Sequence, residues 1–391
     1  MSNSCVLPFH SWLVELRRHF HQYPELAYRE EKTAAKIAEV LGGLGISCRT
    51  GVGGTGVVAA VEAAKPGPTV ALRADIDALP IDEKTDVPYR SRHPGVMHAC
   101  GHDGHTAMAL GTARFLMDSG WRDRGAGRVL FIFQPAEESG AGARAMLNSG
   151  AFDGEKVDAI FAGHVHPEVP AGQVGIASDI SNASSDVIVI KLTGKGGHGA
   201  QPHLCIDPVV AAAHLVTQIQ FIVSRGVSPL DSAVVTIGKF NAGTARNVIP
   251  EEAVLEGTVR TLRPKVREVI FQRLQELVEG AEKAHGVSCD FSVIDGYPML
   301  VNDPEVVRFA RRTAADILGE QNVRTERPRM GAEDFAYFAG RWPAVLIRIG
   351  CRDPQAESGP GLHSPWFDFD ESALDCGVRL FAALLENYAG R

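Results

Sequence analysis

Apolar positions recur along this chain in two rhythms, helical spacing in some stretches and short unbroken runs in others. Trp12, Leu13, Leu16 and Phe20 share one helical face, and Ala34, Ile37, Ala38 and Leu41 share another beyond Pro24, which predicts one or two helices over residues 11–43. Short apolar runs at 56–62, 69–76, 128–134 and 157–163 read as strands. Helical patterns at 103–118 (Met108, Ala109, Leu110, Ala113, Phe115, Leu116) and 140–149 separate the later ones. Apolar strands alternating with helices predict an α/β fold with a mostly parallel sheet flanked by helices on both faces.

From about Ser184 the order changes. A strand at 187–192, a helix at 207–224, strands at 233–239 and 252–261, a helix at 264–285 and a strand at 288–294 follow one another. Strand, helix, strand, strand, helix, strand is the split βαβ plan of a small α+β, ferredoxin-like domain. A helix at 304–318, a strand at 344–349 and a helix at 371–388 then return to the first style. The expected organisation is a catalytic domain in two parts, 1–183 and 295–391, interrupted by an inserted domain at 184–294.

Composition narrows the classes. The 391 residues are 45% hydrophobic and 22% charged, and 39 Lys plus Arg against 47 Asp plus Glu leave a net charge of −8. An ordinary globular composition with a negative balance and no basic run argues against nucleic acid or an anionic membrane as partner. The start, Met1-Ser2-Asn3-Ser4-Cys5, lacks the basic and apolar pattern of a signal peptide, and no apolar run reaches the ~20 residues of a membrane span. Seven cysteines without repeating spacing fit free thiols in a reducing compartment, so a cytoplasmic location is expected.

The densest chemistry lies in Met97-His98-Ala99-Cys100-Gly101-His102-Asp103-Gly104-His105, where three histidines, a thiol and a carboxylate occupy nine positions at the start of a helix. Thiolate and imidazole together suit a transition-metal ion, and Cys100 and His102 are the expected ligands, with His98 and His105 better placed to orient them. Three strands end in further candidates: Asp75 and Asp77 at the end of 69–76, Glu137 and Glu138 after 128–134, and His164 and His166 after 157–163. Open α/β sheets bind ligands beyond the carboxyl ends of their strands, so these groups converge on the cysteine–histidine turn. Neighbouring Glu137 and Glu138 cannot point the same way, which suits one as metal ligand and the other as proton carrier. Asp75 and Asp77 are expected to steady a ligand imidazole rather than bind metal, and His363 in Gly361-Leu362-His363-Ser364-Pro365 is a further candidate.

These residues carry a resemblance to the M20 metallopeptidases, and within them to the amidohydrolase branch of hippurate hydrolases, N-acyl-amino-acid amidohydrolases and plant auxin-conjugate hydrolases. The similar segments are Leu16 to Leu26, Arg73 to Pro80, His98 to His105, Gln134 to Glu138, Gly194 to His203, Asn247 to Pro250, Gly257 to Arg260 and Met330 to Phe335. The resemblance implies a two-metal exopeptidase-like catalytic domain with an inserted lid and dimerisation domain. It implies two divalent ions (Zn, Mn, Ni or Co) held by Cys100, His102, Glu138, His164 and His363, with Cys100 bridging. It puts Glu137 on the general base, His198 on a histidine that reaches the tetrahedral intermediate, and Asn247 and Arg260 on residues that bind the substrate carboxylate. The segment departs from many relatives in having Val165 and His166 after His164. His164 is favoured as ligand because its spacing to Pro170 and Gly172 fits.

The implied activity is hydrolysis of N-acyl-L-amino acids by a metal-activated water, in a homodimer or higher homo-oligomer. The rivals are a dipeptidase or carboxypeptidase on the same scaffold and a non-catalytic metal-binding protein. No Gly-x-Ser-x-Gly elbow offers a nucleophile instead.

Overall fold

The computed structural model describes residues 6–391; Met1 to Cys5, on which the reading of the chain start rests, lie outside the described residues. The chain divides into two compact units, one of Met1–Ser181, Val301–Arg327 and Asp334–Arg391, the other of Asn182–Leu300 and Pro328–Glu333.

The first unit is built on an eight-stranded sheet in the order Cys48–Val52, Gly56–Glu62, Ala126–Gln134, Lys65–Asp75, Ala159–Pro170, Ala344–Arg352, Val174–Ala177, Val323–Glu326. The four middle strands, from Ala126–Gln134 to Ala344–Arg352, pair in parallel, whereas antiparallel pairs occur on both sides of them. The middle strands are the ones that read as unbroken apolar runs, because helices cover both of their faces. Cys48–Val52 and Val323–Glu326 had no such signature. They are edge strands, carry Arg49, Thr50 and Arg324, and leave most of their residues partly or fully exposed.

Three helices, His10–Gln22, His102–Asp118 and Ser372–Ala389, close over the core. Their spacing rests on glycines within the helices. A Cβ on Gly111 would lie 2.4 Å from Leu13 Cδ2 and 2.7 Å from Val378 Cγ2, and one on Gly377 would lie against Met108 Sδ. Each such glycine sacrifices about 1 kcal/mol of helix propensity relative to alanine, and close packing offsets it.

The second unit is a four-stranded antiparallel sheet in the order Ala233–Ala242, Glu252–Thr261, Ser184–Thr193, Ser288–Tyr297. Its core comes from Ile188, Ile190, Leu192, Leu255 and Val259 on the strands, and from Leu215, Ile219, Ile270, Leu274 and Val278 on helices Pro208–Phe221 and Pro264–His285. Glu252–Thr261 alternates buried and less buried positions, as a sheet covered on one face requires. Both helices begin with proline at the first position, and Asp207 caps the first through Val209 N–H at 2.9 Å. This is the ferredoxin-like plan. Residues 328–333 join it through Arg329, whose carbonyl accepts Ala183 N–H at 2.9 Å.

Among the described residues Cys48, Cys100, Cys205, Cys289, Cys351 and Cys376 are free thiols, and no helix is long and apolar enough to cross a membrane.

Candidate metal centre and active site

The centre forms where the parallel strands of the first unit end. Asp75 pairs with Gln134, so their strands finish together and release 76–77 and 135–138 on one side. Contrary to expectation, His164 is not past the end of its strand: Ala159–Pro170 continues to pair with Ala344–Arg352 through Gly350 and, past a bulge, on to Arg352 opposite Pro170, and Arg348 lies opposite His164. On its other flank the pairing with Lys65–Asp75 stops at Ala162, which opens a crevice beside His164. The turn from Cys100 into helix His102–Asp118 uses Gly101 at φ 86°, a conformation that suits glycine.

Five of the expected residues meet here. Donor atoms of Cys100, His102 and His164 lie within 4.8 Å of one another, and so do those of Cys100, Glu138 and His363. Cys100 belongs to both sets. Its Sγ is 3.4 Å from His164 Nε2, while Glu138 Oε1 is 3.3 Å from His363 Nε2 and 3.8 Å from His102 Nε2. Glu137 completes a third set with His102 and Glu138.

The hydrogen-bond network assigns the imidazole tautomers. His102 Nδ1 donates to the Asp77 carbonyl at 2.9 Å, with Asp77 Oδ1 at 3.2 Å, and its buried Nε2 has no hydrogen-bond partner. His164 Nδ1 donates to the Val165 carbonyl at 2.8 Å, which turns Nε2 toward Cys100. His105 differs: Nδ1 donates to Asp75 Oδ1 at 2.5 Å and Nε2 accepts Val165 N–H at 2.8 Å, so both nitrogens are used. Although Asp75, His102 and His105 lie close enough to enclose an ion, His105 has no lone pair left for one. It braces the strand at the residue after His164.

Asp75 accepts from Arg73 as well as His105, and Asp77 Oδ2 accepts Glu138 N–H at 3.0 Å. Asp77 thus holds two groups of the donor cluster, His102 and Glu138, while Asp75 holds the buried Arg73 and His105 beneath it. His98 is buried with neither ring nitrogen hydrogen-bonded, and burial pushes its pKa down to about 3. His166 Nδ1 accepts Glu168 N–H at 3.3 Å and stays outside the cluster, which singles out His164 of the two.

Charge is distributed to suit a cation. Burial pushes the Cys100 thiol well up, helped by Glu138. Burial and His105 hold His164 neutral. A soft thiol, three imidazoles and a carboxylate, with His102 Nε2 buried and without a hydrogen-bond partner, fit borderline divalent ions. The residues present form two donor sets that share Cys100, and their chemistry fits such ions.

Sequence reasoning missed the support beneath this cluster. Arg73, 2% exposed, donates to Gln134 Oε1 at 2.7 Å, Asp75 Oδ2 at 2.7 Å and Asp334 Oδ1 at 2.9 Å. Asp334 also accepts Gln134 Nε2 and Ala143 N–H, and its own N–H donates to Glu137 Oε1 at 3.3 Å. A second buried network joins Arg17, Asp103, His21 and Glu83 beneath the start of the 102–118 helix. The signal was available: a charge inside an apolar run, such as Arg73, has to be paired when the run is buried.

His198, Asn247 and Arg260 belong to the second unit. Gly197–His198 pairs with Val248–Ile249, and Gly199 N–H donates to the Asn247 carbonyl at 2.8 Å, so His198 and Asn247 are neighbours. His198 Nδ1 accepts Ala200 N–H at 3.0 Å, which leaves the hydrogen on Nε2. Arg260 lies apart on Glu252–Thr261 and donates to the Met330 carbonyl.

The family model described as peptidase family M20/M25/M40 matches residues 71–387. The chain belongs to this family. An N-acetyl-L-cysteine deacetylase of Bacillus subtilis is 40% identical over 362 residues, covering 93% of this chain and 84% of the relative. Thermostable carboxypeptidase 1 of Saccharolobus solfataricus is 37% identical over 390 residues, covering 99% and 98%. A Bacillus subtilis crystal structure described as a dinuclear metal-binding peptidase of family M20 matches with TM-score 0.83 at 35% identity, covering 97% of this chain and 98% of that one. The protein is a metal-binding hydrolase acting on amide bonds, with the α/β architecture of the family.

Proposed function

We propose that this protein is an amidohydrolase that cleaves N-acyl-L-amino acids to a carboxylate and a free amino acid, using two divalent ions held by Cys100, His102, Glu138, His164 and His363. The observation that carries this reading is the adjacency of Glu138, at the donor cluster, and Glu137, which offers the same site a second carboxylate. A site built only to hold metal needs ligands and no additional base. The deacetylase relative at 40% identity supports an N-acyl amino acid as substrate.

Bound there, the ions supply Lewis acidity toward water and the amide carbonyl, and Zn, Mn, Ni or Co all suit the mixed donors. Glu137 takes a proton from the attacking water as its oxygen bonds to the amide carbon. The Nε2–H of His198 donates to the carbonyl oxygen as that oxygen gains charge. When the C–N bond breaks, Glu137 returns its proton to the leaving amine nitrogen. Asn247 and Arg260 bind the carboxylate of the amino acid, and Asp75 and Asp77 keep the ligands aligned.

The inserted unit serves as a lid over the substrate and as the surface for a homodimer, through an edge strand, Ala233–Ala242 or Ser288–Tyr297, that exposes Val234, Phe240, Val293 and Ile294. Free thiols favour a cytoplasmic setting. Light scattering would report the dimer, and a monomer at micromolar concentration would remove it.

The carboxypeptidase relative gives a second reading, cleavage of peptides at the carboxyl end. Release of amino acid from N-acetyl, N-benzoyl, dipeptide and longer peptide substrates, with each metal reconstituted separately, tests both. Preference for N-acyl amino acids supports the first reading, and preference for peptides replaces it with the second.

A further inference from the structure

Segment 135–142 carries both Glu137 and Glu138, and its backbone is under strain. Ala136 has φ 53° and Ala141 φ 50°, left-handed conformations that a Cβ disfavours. Within the segment, the Ala136 carbonyl accepts N–H from Gly140 and Gly142, both at 3.1 Å. Such a turn persists only where its surroundings over-determine it.

Those surroundings come from residues 25–30. Glu30 is fully buried, and its Oε1 accepts Ala136 N–H at 2.9 Å while its Oε2 accepts Thr55 Oγ1–H at 2.5 Å. Tyr28, itself at φ 61°, donates its hydroxyl to the Gly140 carbonyl at 2.6 Å. Its ring lies so close that a Cβ on Gly140 would sit 2.4 Å from Cε2. One side chain grips the segment before Glu137 and the other grips it after Glu138.

The gripping residues are themselves anchored beside the centre. The Glu25 carbonyl accepts Ala78 N–H at 2.8 Å, one residue past Asp77, and Leu26 bridges Ala78. The Glu25 carboxylate accepts Thr33 N–H at 2.8 Å and Thr33 Oγ1–H at 2.9 Å at the start of helix Glu31–Gly43. Residues 25–30 thereby refer the position of 135–142 to the strand end that carries Asp75 and Asp77.

We propose that residues 25–30 are a clamp that sets the 135–142 turn, with Glu30 and Tyr28 as positioning residues that direct Glu137 and Glu138 to opposite tasks. This rests on the reading of Glu137 as the base. Neither residue touches substrate. Each acts through the backbone, Glu30 by fixing the strained Ala136 amide and Tyr28 by fixing the turn's far end.

The test uses the full-length, metal-loaded protein with Glu30→Met, Glu30→Gln and Tyr28→Phe. Glu30→Met keeps the shape and removes the acceptor for Ala136 N–H. Glu30→Gln keeps an acceptor and can donate to Thr55, so it serves as the conservative rescue. In Glu30→Met, exchange of the 135–142 amides should accelerate about tenfold or more while bound metal is unchanged. Its kcat should fall about tenfold to a hundredfold with KM within about threefold, the pattern of a misplaced catalytic group. Glu30→Gln should restore both readouts to within about threefold. Tyr28→Phe, at a half-exposed position that tolerates the change, should shift exchange and kcat in the same direction by less, and it decides the matter if Glu30→Met does not fold. Wild-type exchange and kcat in both Glu30→Met and Tyr28→Phe would overturn the clamp, as would loss of metal in step with activity. If the loaded wild type hydrolyses no N-acyl amino acid, the functional reading fails on its own, and the exchange measurement still decides the clamp.

Discussion

Replacing Asp77 by alanine should loosen the metal centre without emptying the fold. Asp77 makes two side-chain contacts to groups that face the donors, Oδ1 with His102 Nδ1 at 3.2 Å and Oδ2 with Glu138 N–H at 3.0 Å. Hydrogen bonds to a charged group are worth about 1.5–3 kcal/mol each, so the ceiling for losing both is about 3–6 kcal/mol. His102 Nδ1 keeps its shorter bond, 2.9 Å, to the backbone carbonyl of residue 77, which the substitution leaves in place. That halves the loss, to about 1.5–3 kcal/mol or a roughly 10- to 150-fold weaker metal affinity, in line with what outer partners of ligand histidines contribute. Competition with a chromophoric chelator gives the dissociation constant, and far-UV circular dichroism checks that the fold remains. Asp77→Asn should fall between wild type and alanine, because its amide oxygen can replace only one of the two acceptors. An alanine variant with wild-type affinity would refute the assignment of Asp77 to ligand orientation.

Further outcomes follow from the two buried networks and the helix contacts. Arg73→Met leaves Asp75 and Asp334 buried without their shared cation and should cost about 3–5 kcal/mol, read as a fall in denaturation midpoint, with partial recovery when Asp334→Asn is added. Burial pushes the His21 pKa down, but its bonds to Asp103 and Glu83 raise it overall above the ordinary value. A raised folded pKa stabilises below the unfolded value, so the stability advantage of wild type over His21→Gln should be full below about pH 6.5 and shrink as pH rises through the folded value. Urea midpoints across that range check it, and an advantage that grows with pH would contradict it. Gly111→Ala should lower the thermal midpoint despite the better helix former, because the new methyl meets Leu13 and Val378 at 2.4 and 2.7 Å, an overpacking cost of about 1–3 kcal/mol.

Legibility from sequence followed the strength of local signals. Helix 264–285 and strand 252–261 could be bounded from pattern, because prolines mark helix starts and alternation marks a sheet with one covered face. The edge strands at Cys48–Val52 and Val323–Glu326 left no apolar run to find, since their outer residues face solvent. In the centre, Cys100, His102 and Glu138 were visible as a density of donor types, and spacing favoured His164 over His166, whereas residues two apart on one strand share a face and only the side-chain contacts show His164 Nε2 turned toward Cys100. The supports were harder still. Nothing local tells that Glu30 lies against Ala136, because 106 positions separate them. Arg73 offered only the general warning that a charge in a buried run has a partner somewhere.

The measurement that bears most directly on the account is turnover of an N-acyl-L-amino acid by metal-loaded Glu137→Gln beside wild type, with bound metal determined in both. If Glu137 carries the proton and does not hold the ions, metal content stays equal while kcat falls by about 10²–10⁴, the usual contribution of general acid–base catalysis. Turnover by Glu137→Gln within about tenfold of wild type, at equal metal content, would contradict the account.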